Sequence, residues 1–266
     1  MTVLDLETVD LKLTAGVAWL RLNRPNSLNA WIPQFGQELQ AALDECARRD
    51  EIRAVVITGA GRAFSSGADL KQGGIFDEQG RPDVMTPLRE HYHPVMLRIR
   101  RLGKPVVAAV NGGAVGIGAA LALACDYVIA ARSAYFLFAF ANIGLALDGG
   151  ASPLLSARIG LTRASQVALL GERLGGEQAL AWGLVNELAE DEQLLTRAEE
   201  LAVRLAAGAT GAYATIKQTL NASVYPELER LLDLEAELQQ QRAESSDFIE
   251  GVTAFVEKRP PVFTGK

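Results

Sequence analysis

The chain has 266 residues, 49% of them hydrophobic, and a formal net charge of −6. That is apolar material enough for a sizeable core, which excludes a disordered chain, and the acidic balance excludes a nucleic-acid partner, which needs a basic face. The longest apolar stretch, around residues 105–131, is broken by NGGAVGIG and by Asp126, so no segment spans a membrane.

The start, MTVLDLETVDLKL, is acidic and lacks a basic-then-apolar run, so no signal peptide is expected and the protein is placed in the cytoplasm. Val17 to Leu22 (VAWLRL) reads as a strand, followed by the turn-forming NRPNSLNA. From Gln34 to Arg49 the apolar residues Phe35, Leu39, Ala42, Leu43 and Cys46 form one helical stripe. Arg53 to Thr58 (RAVVIT) reads as a buried strand ended by GAGR, and Pro105 to Val110 (PVVAAV) as another ended by NGG. Between them, Gln72 to His93 is polar and carries Gly73, Gly74, Gly80, Pro82 and Pro87, the pattern of a mobile loop. Tyr127 to Ala131 and Tyr135 to Phe138 are two more short strands. Strands alternating with helices predict parallel pairing with right-handed crossovers. After Ser152 the pattern is helical, over Leu194–Ala207, Tyr213–Ala222 and Pro226–Arg242, with one weak strand signal at Leu184–Glu187. The expected organisation is an α/β core over 1–190 and a helical extension over 191–266. Cys46 and Cys125 lie far apart in apolar segments, without metal-ligand spacing, and are expected to be buried, reduced thiols. No metal site is expected.

Two segments place small residues where a buried strand leads into a helix: FSSGADL (Phe64–Leu70) and NGGAVGIGAALALACD (Asn111–Asp126). Backbone N–H groups there lack intrahelical partners, and the helix dipole favours negative charge. Neither matches a phosphate-binding fingerprint. Either turn alone reads as tight packing. Two such turns side by side would make an oxyanion hole, in which each donor is worth about 2.7–4 kcal/mol of transition-state stabilisation.

Over nearly its whole length the chain resembles the crotonase (enoyl-CoA hydratase/isomerase) family. The matching segments are NRPNSLNA, AVVITGAGRAFSSGADL, KPVVAAVNGGAVGIGAALALACDYVIA, NIGLALDGG, ARIGLTRASQVALLGERLGGEQALAWGLVNEL and FVEKRPPVFTG. The resemblance implies a ββα superhelix core with a helical C-terminal trimerisation region, a homotrimer or dimer of trimers, and an acyl-coenzyme A thioester as ligand. Coenzyme A would then be part of the substrate, with no permanently bound cofactor. The thioester oxygen would be held by the N–H groups of Ala68 and Ile117. Leu28, Ala30, Ala68, Asp69, Leu70 and Lys71 match positions lining the coenzyme A site.

Two departures narrow the chemistry. Hydratases of this family carry two glutamates, at positions held here by Ala120 and Phe140. Hydration needs a base to activate water and an acid to protonate carbon, and neither residue can act as either. One carboxylate remains: Asp148, in GLALDGG, matches the catalytic carboxylate of isomerase-like branches. Buried among Leu145, Leu147 and Phe140 it would have a raised pKa. Its rival role is to cap the following helix, although Ser152–Pro153 offers a cap and a first-turn proline of its own. Asp69 reads as a helix cap, Asp126 as a turn ligand, and His91 and His93 as solvated loop residues. Ser65 and Ser66 lack a His–Asp partner pattern. Phe138, Phe140, Ile75 and Phe76 suggest an apolar acyl pocket. The sequence thus predicts an enoyl-CoA isomerase that uses Asp148, Ala68 and Ile117. A hydratase of weak or unusual specificity and a non-catalytic acyl-CoA-binding or assembly partner stand as alternatives.

Overall fold

The strands come in pairs that divide between two sheets. In a computed structural model, which describes residues 6–70, 76–77 and 79–266, β1 (Val9–Thr14) and β2 (Val17–Leu22) form an antiparallel hairpin. Helix α1 (Pro33–Arg48) follows, then β3 (Ala54–Gly59) and β4 (Ala63–Ser65). A short helix α2 (Met85–Pro87) runs through a π turn (Leu88–Tyr92) into α3 (His93–Arg101). Then come β5 (Val106–Val110), β6 (Gly113–Val115) and α4 (Ile117–Ala124), and after them β7 (Tyr127–Ala131), β8 (Tyr135–Leu137) and α5 (Ala151–Leu170). The pairs β3/β4, β5/β6 and β7/β8 each give their first strand to a large sheet, ordered β1-β2-β3-β5-β7-β10, and their second to a small one, ordered β4-β6-β8-β9, where β9 is Leu174–Gly175 and β10 is Glu187–Ala189; β1 and β2 both lie in the large sheet. The pairs β2·β3, β3·β5 and β5·β7 are parallel. This is the expected ββα superhelix.

The chain ends in β9 (Leu174–Gly175), α6 (Gly176–Ala181), β10 (Glu187–Ala189) and helices α7 (Leu194–Ala207), α8 (Thr210–Val224), α9 (Leu228–Ala243) and α10 (Ser246–Glu257). The weak strand signal at Leu184–Glu187 is displaced to β10. There the Asn186 side chain accepts the Val128 N–H at 2.9 Å and its own N–H donates to the Val128 carbonyl, so the ladder starts one residue later. The change of pattern near residue 190 is not a gap, because α7 packs on β3, β5 and β7. With both faces covered, β3 and β5 can be continuous apolar runs. Val55, Val56, Ile57 and all of Val106–Val110 are fully buried.

Asp126 does more than close a turn. It accepts the Val106 N–H at 2.9 Å and pairs with buried Lys217 (2.7 Å) and Arg100 (3.1 Å), tying α8 and α3 to the sheet. Cys46 and Cys125 are free and buried, and burial pushes both thiols up to about 12, as expected for inert core residues. The expected loop over Gln72 to His93 becomes helical from Met85 onward, and Gly73 and Gly74 lie outside the described residues. No described helix is long and apolar enough to cross a membrane.

Candidate active site

The site starts from the NRPNSLNA turn. Asn29 adopts φ 55° and is fully buried. Its amide donates to the carbonyls of Ala60 and Ala63 at 2.9 and 2.8 Å, while its Oδ1 accepts the Arg24 N–H. One side chain therefore clamps this turn onto the β3–β4 connection. Next to it, Trp31 is fully buried between Phe35 and Tyr92, edge-on to both at 5.2 and 5.1 Å. Such pairs add about 0.5–1.5 kcal/mol each beyond burial. The anchored Trp31 holds the FSSGADL turn by its backbone: its N–H donates to Gly67 O at 2.8 Å and its carbonyl accepts the Asp69 N–H at 2.9 Å. These bonds flank Ala68 and use its neighbours' groups, so the Ala68 N–H keeps no partner among the described residues.

The second turn offers a similar donor. Ile117 is the first residue of α4, and its N–H has no intrahelical acceptor and no other among the described residues. The two turns touch at Gly118, where a Cβ would come within 2.7 Å of both the Ser65 side chain and its carbonyl. Only glycine allows this approach. Ser65 and Ser66 spend their hydroxyls on the carbonyls of Asn29 (2.8 Å) and Ser27 (3.3 Å), which leaves neither as a nucleophile.

Asp148 enters from the loop before α5. Gly149 and Gly150, with φ 67° and 79°, turn the chain tightly after it, and a Cβ on Gly149 would lie 3.1 Å from Ile117 Cδ1 and 3.2 Å from Ala120 Cβ. The loop is thus seated against the start of α4. Asp148 Oδ2 accepts from Gln239 Nε2 at 2.8 Å, while Oδ1 is closed to water and has no partner among the described residues. Burial, then the neighbouring Glu235 charge, push the Asp148 carboxyl up to about 8, against the Gln239 hydrogen bond.

Asp148 does not cap α5 with its side chain, and neither does Ser152, which lies inside the first turn. The cap comes from Glu235 on α9, which accepts the N–H of Gly150 at 2.7 Å, the N–H of Ser152 at 3.0 Å and the Ser152 hydroxyl. Sequence reasoning missed Glu235 and Gln239. Their signal was available: two polar residues four apart on the apolar stripe that Leu228, Leu232 and Ala236 bury.

A cavity of about 780 Å³ joins these parts. Ala68, Ile117 and Asp148 line it together, with Leu28, Ala30, Asp69 and Leu70; Lys71 and Ile75 lie outside the described residues. The Asp69 carboxylate faces the Arg24 guanidinium at 3.3 Å. Of the expected acyl-pocket phenylalanines only Phe140 lines the cavity, joined by Leu137, Ile143 and Leu145. Phe138 is in the core, and Phe76 is 40% exposed, away from the cavity. Neither histidine is a solvated loop residue. His93 is buried, which pushes its pKa down to about 4, and its Nε2 accepts the Gly149 N–H at 3.4 Å. The His91 ring is largely enclosed, and its Nδ1 has no partner among the described residues. Tyr92 also lines the cavity, and burial raises its pKa, so its hydroxyl stays a neutral donor. No cluster of three or more His, Cys, Asp or Glu able to hold a metal occurs among the described residues.

The family model for enoyl-CoA hydratase/isomerase matches residues 12–266. The chain belongs to the enoyl-CoA hydratase/isomerase, or crotonase, family. It is 43% identical to a 1,2-epoxyphenylacetyl-CoA isomerase of Escherichia coli, over 94% of this chain and 96% of that protein. It is also 43% identical to a probable enoyl-CoA hydratase of Rhodobacter capsulatus, over 99% of this chain and 100% of that one. A solved enoyl-CoA hydratase from Mycobacterium avium subsp. paratuberculosis superposes with a TM-score of 0.87 at 38% identity, covering 97% and 99% of the two chains. Within this crotonase frame, the positions matching the hydratase glutamates hold no acid or base. Ala120 is fully buried against the Asp148–Gly150 loop, and the Phe140 ring lies near Gly116 on the cavity wall.

Proposed function

We propose that this crotonase-family protein is an enoyl-CoA isomerase. Asp148 takes a proton from C2 of a 3-enoyl-CoA, the double bond moves from C3–C4 to C2–C3, and the same carboxyl returns a proton to C4. The N–H groups of Ala68 and Ile117 stabilise the thioester oxygen as it becomes an enolate. Coenzyme A enters and leaves as part of the substrate, and no resident cofactor takes part. The observation that carries the reading is the pairing of one buried carboxyl of raised pKa with two unpartnered backbone donors in one cavity. A base whose pKa lies near the working pH transfers protons most effectively. The other carboxylate that lines the cavity among the described residues, Asp69, is paired with Arg24.

A hydratase of unusual specificity is the second reading, favoured by the equal identity to a hydratase-named relative. Incubating the protein with 3-enoyl-CoA thioesters of several chain lengths in deuterated water separates these readings. Isomerisation with deuterium entering at the exchanging carbons is expected. Water addition without isomerisation would support the hydratase, and binding without any exchange would leave only an acyl-CoA-binding protein.

A further inference from the structure

Most side-chain hydrogen bonds to the Asp148 loop come from one helix that lies far away in sequence. Glu235 and Gln239 stand one turn apart on α9, 5% and 1% exposed, and both point at residues 146–152. Gln239 Oε1 accepts the Ala146 N–H at 3.1 Å, so its amide nitrogen must face Asp148, to which it donates at 2.8 Å. Its orientation is fixed by the backbone, and it can act on Asp148 only as a donor. Glu235 takes three donors at the N-terminus of α5, where the helix dipole also favours negative charge. Burial raises the pKa of Glu235 too, and those donors oppose it. Asp148 has a single donor. Of two neighbouring buried carboxyls, the better-solvated one keeps its charge and the other holds its proton longer.

We propose that Glu235 and Gln239 are positioning residues for Asp148: Gln239 fixes the carboxyl's orientation, and the Glu235 charge sets the pH above which Asp148 works as a base. The proposal rests on the reading of Asp148 as the proton shuttle. The titratable groups facing this loop include Tyr92, whose neutral hydroxyl lines the same cavity, and His93, which is neutral and accepts the Gly149 N–H. The paired Asp69 and Arg24, with Arg62 and Arg259, lie along the same cavity, but Glu235 is the neighbour whose charge acts on Asp148. The device is chemically economical. The carboxylate that caps α5 also stands beside Asp148, so one side chain both seats the loop and supplies the neighbouring negative charge.

The test follows the pH dependence of kcat/KM for 3-enoyl-CoA isomerisation in the parent, Glu235→Gln, Gln239→Met and Asp148→Asn. Glu235→Gln removes the charge and retains an acceptor, so the ascending limb should move down by about one pH unit or more. Gln239→Met removes the donor that favours the carboxylate, so the limb should move up. Opposite signs are the signature, because a merely structural role would lower activity without moving either limb. If Glu235→Gln is folded and its limb stays in place, the proposal is overturned. If Glu235→Gln does not fold, an unmoved limb in Gln239→Met overturns it equally. The parent alone supplies a third reading, infrared titration of its buried carboxyls. A protonated carboxyl band that persists at neutral pH and is missing from Asp148→Asn supports the assignment, and a band that remains in that variant refutes it. Asp148→Asn also separates the two layers: if it isomerises like the parent, the shuttle reading fails, whereas its inactivity beside an unmoved Glu235→Gln limb fails only the positioning proposal.

Discussion

Replacing Asp148 by asparagine removes an ionisable oxygen and leaves the outline of the side chain, with an amide oxygen able to accept from Gln239 in place of Oδ2. Activity and stability should then move in opposite directions. Without the base, isomerisation should fall by a factor of about 10² or more. The stability change follows from the pKa. The carboxyl lies at about 8 in the folded protein against a reference of 3.8, so the unfolded chain releases this proton first. The stability this group contributes is fully present below about pH 4 and is lost as pH rises towards 8. At pH 7 the roughly 3 units separating pH from the unfolded value set a ceiling of about 4 kcal/mol. Asp148 is in part open to the cavity, and solvent there screens the charge, so about 2 kcal/mol is the expected size. Asparagine does not ionise and escapes this loss. Urea unfolding at fixed protein concentration should therefore show Asp148→Asn matching the parent at pH 4 and exceeding it by about 2 kcal/mol at pH 7. A variant no more stable at pH 7 than at pH 4, relative to the parent, would refute the assignment of a buried, reluctantly ionised carboxyl. Undiminished isomerisation would refute its role.

Crotonyl-CoA should bind but hydrate more than tenfold below the roughly 10 per second of a typical enzyme, since Ala120 and Phe140 offer no acid or base; a faster rate would show that another group activates water. Gly118→Ala pushes a Cβ to within 2.7 Å of Ser65 and should cost about 1–3 kcal/mol while weakening acyl-CoA binding as the two turns part; an unchanged urea midpoint and affinity would contradict that account of the close approach. Leu161 and Leu169 are each 75% exposed, with Ile216 and Leu220 above half, more apolar surface than a lone chain tolerates well. We expect a trimer or dimer of trimers, and sedimentation of a stable monomer at micromolar concentration would overturn this. Along α9, Leu228 and Leu232 are buried within the chain, while Leu234 and Leu238 remain about 40% exposed.

The sequence by itself determined the central strands and helices α1, α7, α8 and α9, though not the bounds of α5 or α10. VAWLRL is β2, and Leu194–Ala207 is α7 to the residue, because unbroken β-branched runs and helical stripes are local patterns that the tertiary environment merely buries. It also pointed to Ala68, Ile117 and Asp148, which line one cavity, through motifs whose glycines permit turns that other residues would strain. Only the tertiary structure decided the second sheet. Of its strands, β8 is legible in the sequence as Tyr135–Phe138, but β4, β6 and β9 have two or three residues each, too few to show a period, and exist because the superhelix brings them side by side. It also decided the state of Asp148. The sequence offers a carboxyl in an apolar stretch, with a serine and a proline nearby to cap the helix. The fold brings in Glu235 and Gln239 from 83 to 91 positions away, takes over the cap, and leaves one oxygen without a partner among the described residues. Charge and hydrogen bonding act through space, so no reading of neighbours along the chain could assign them.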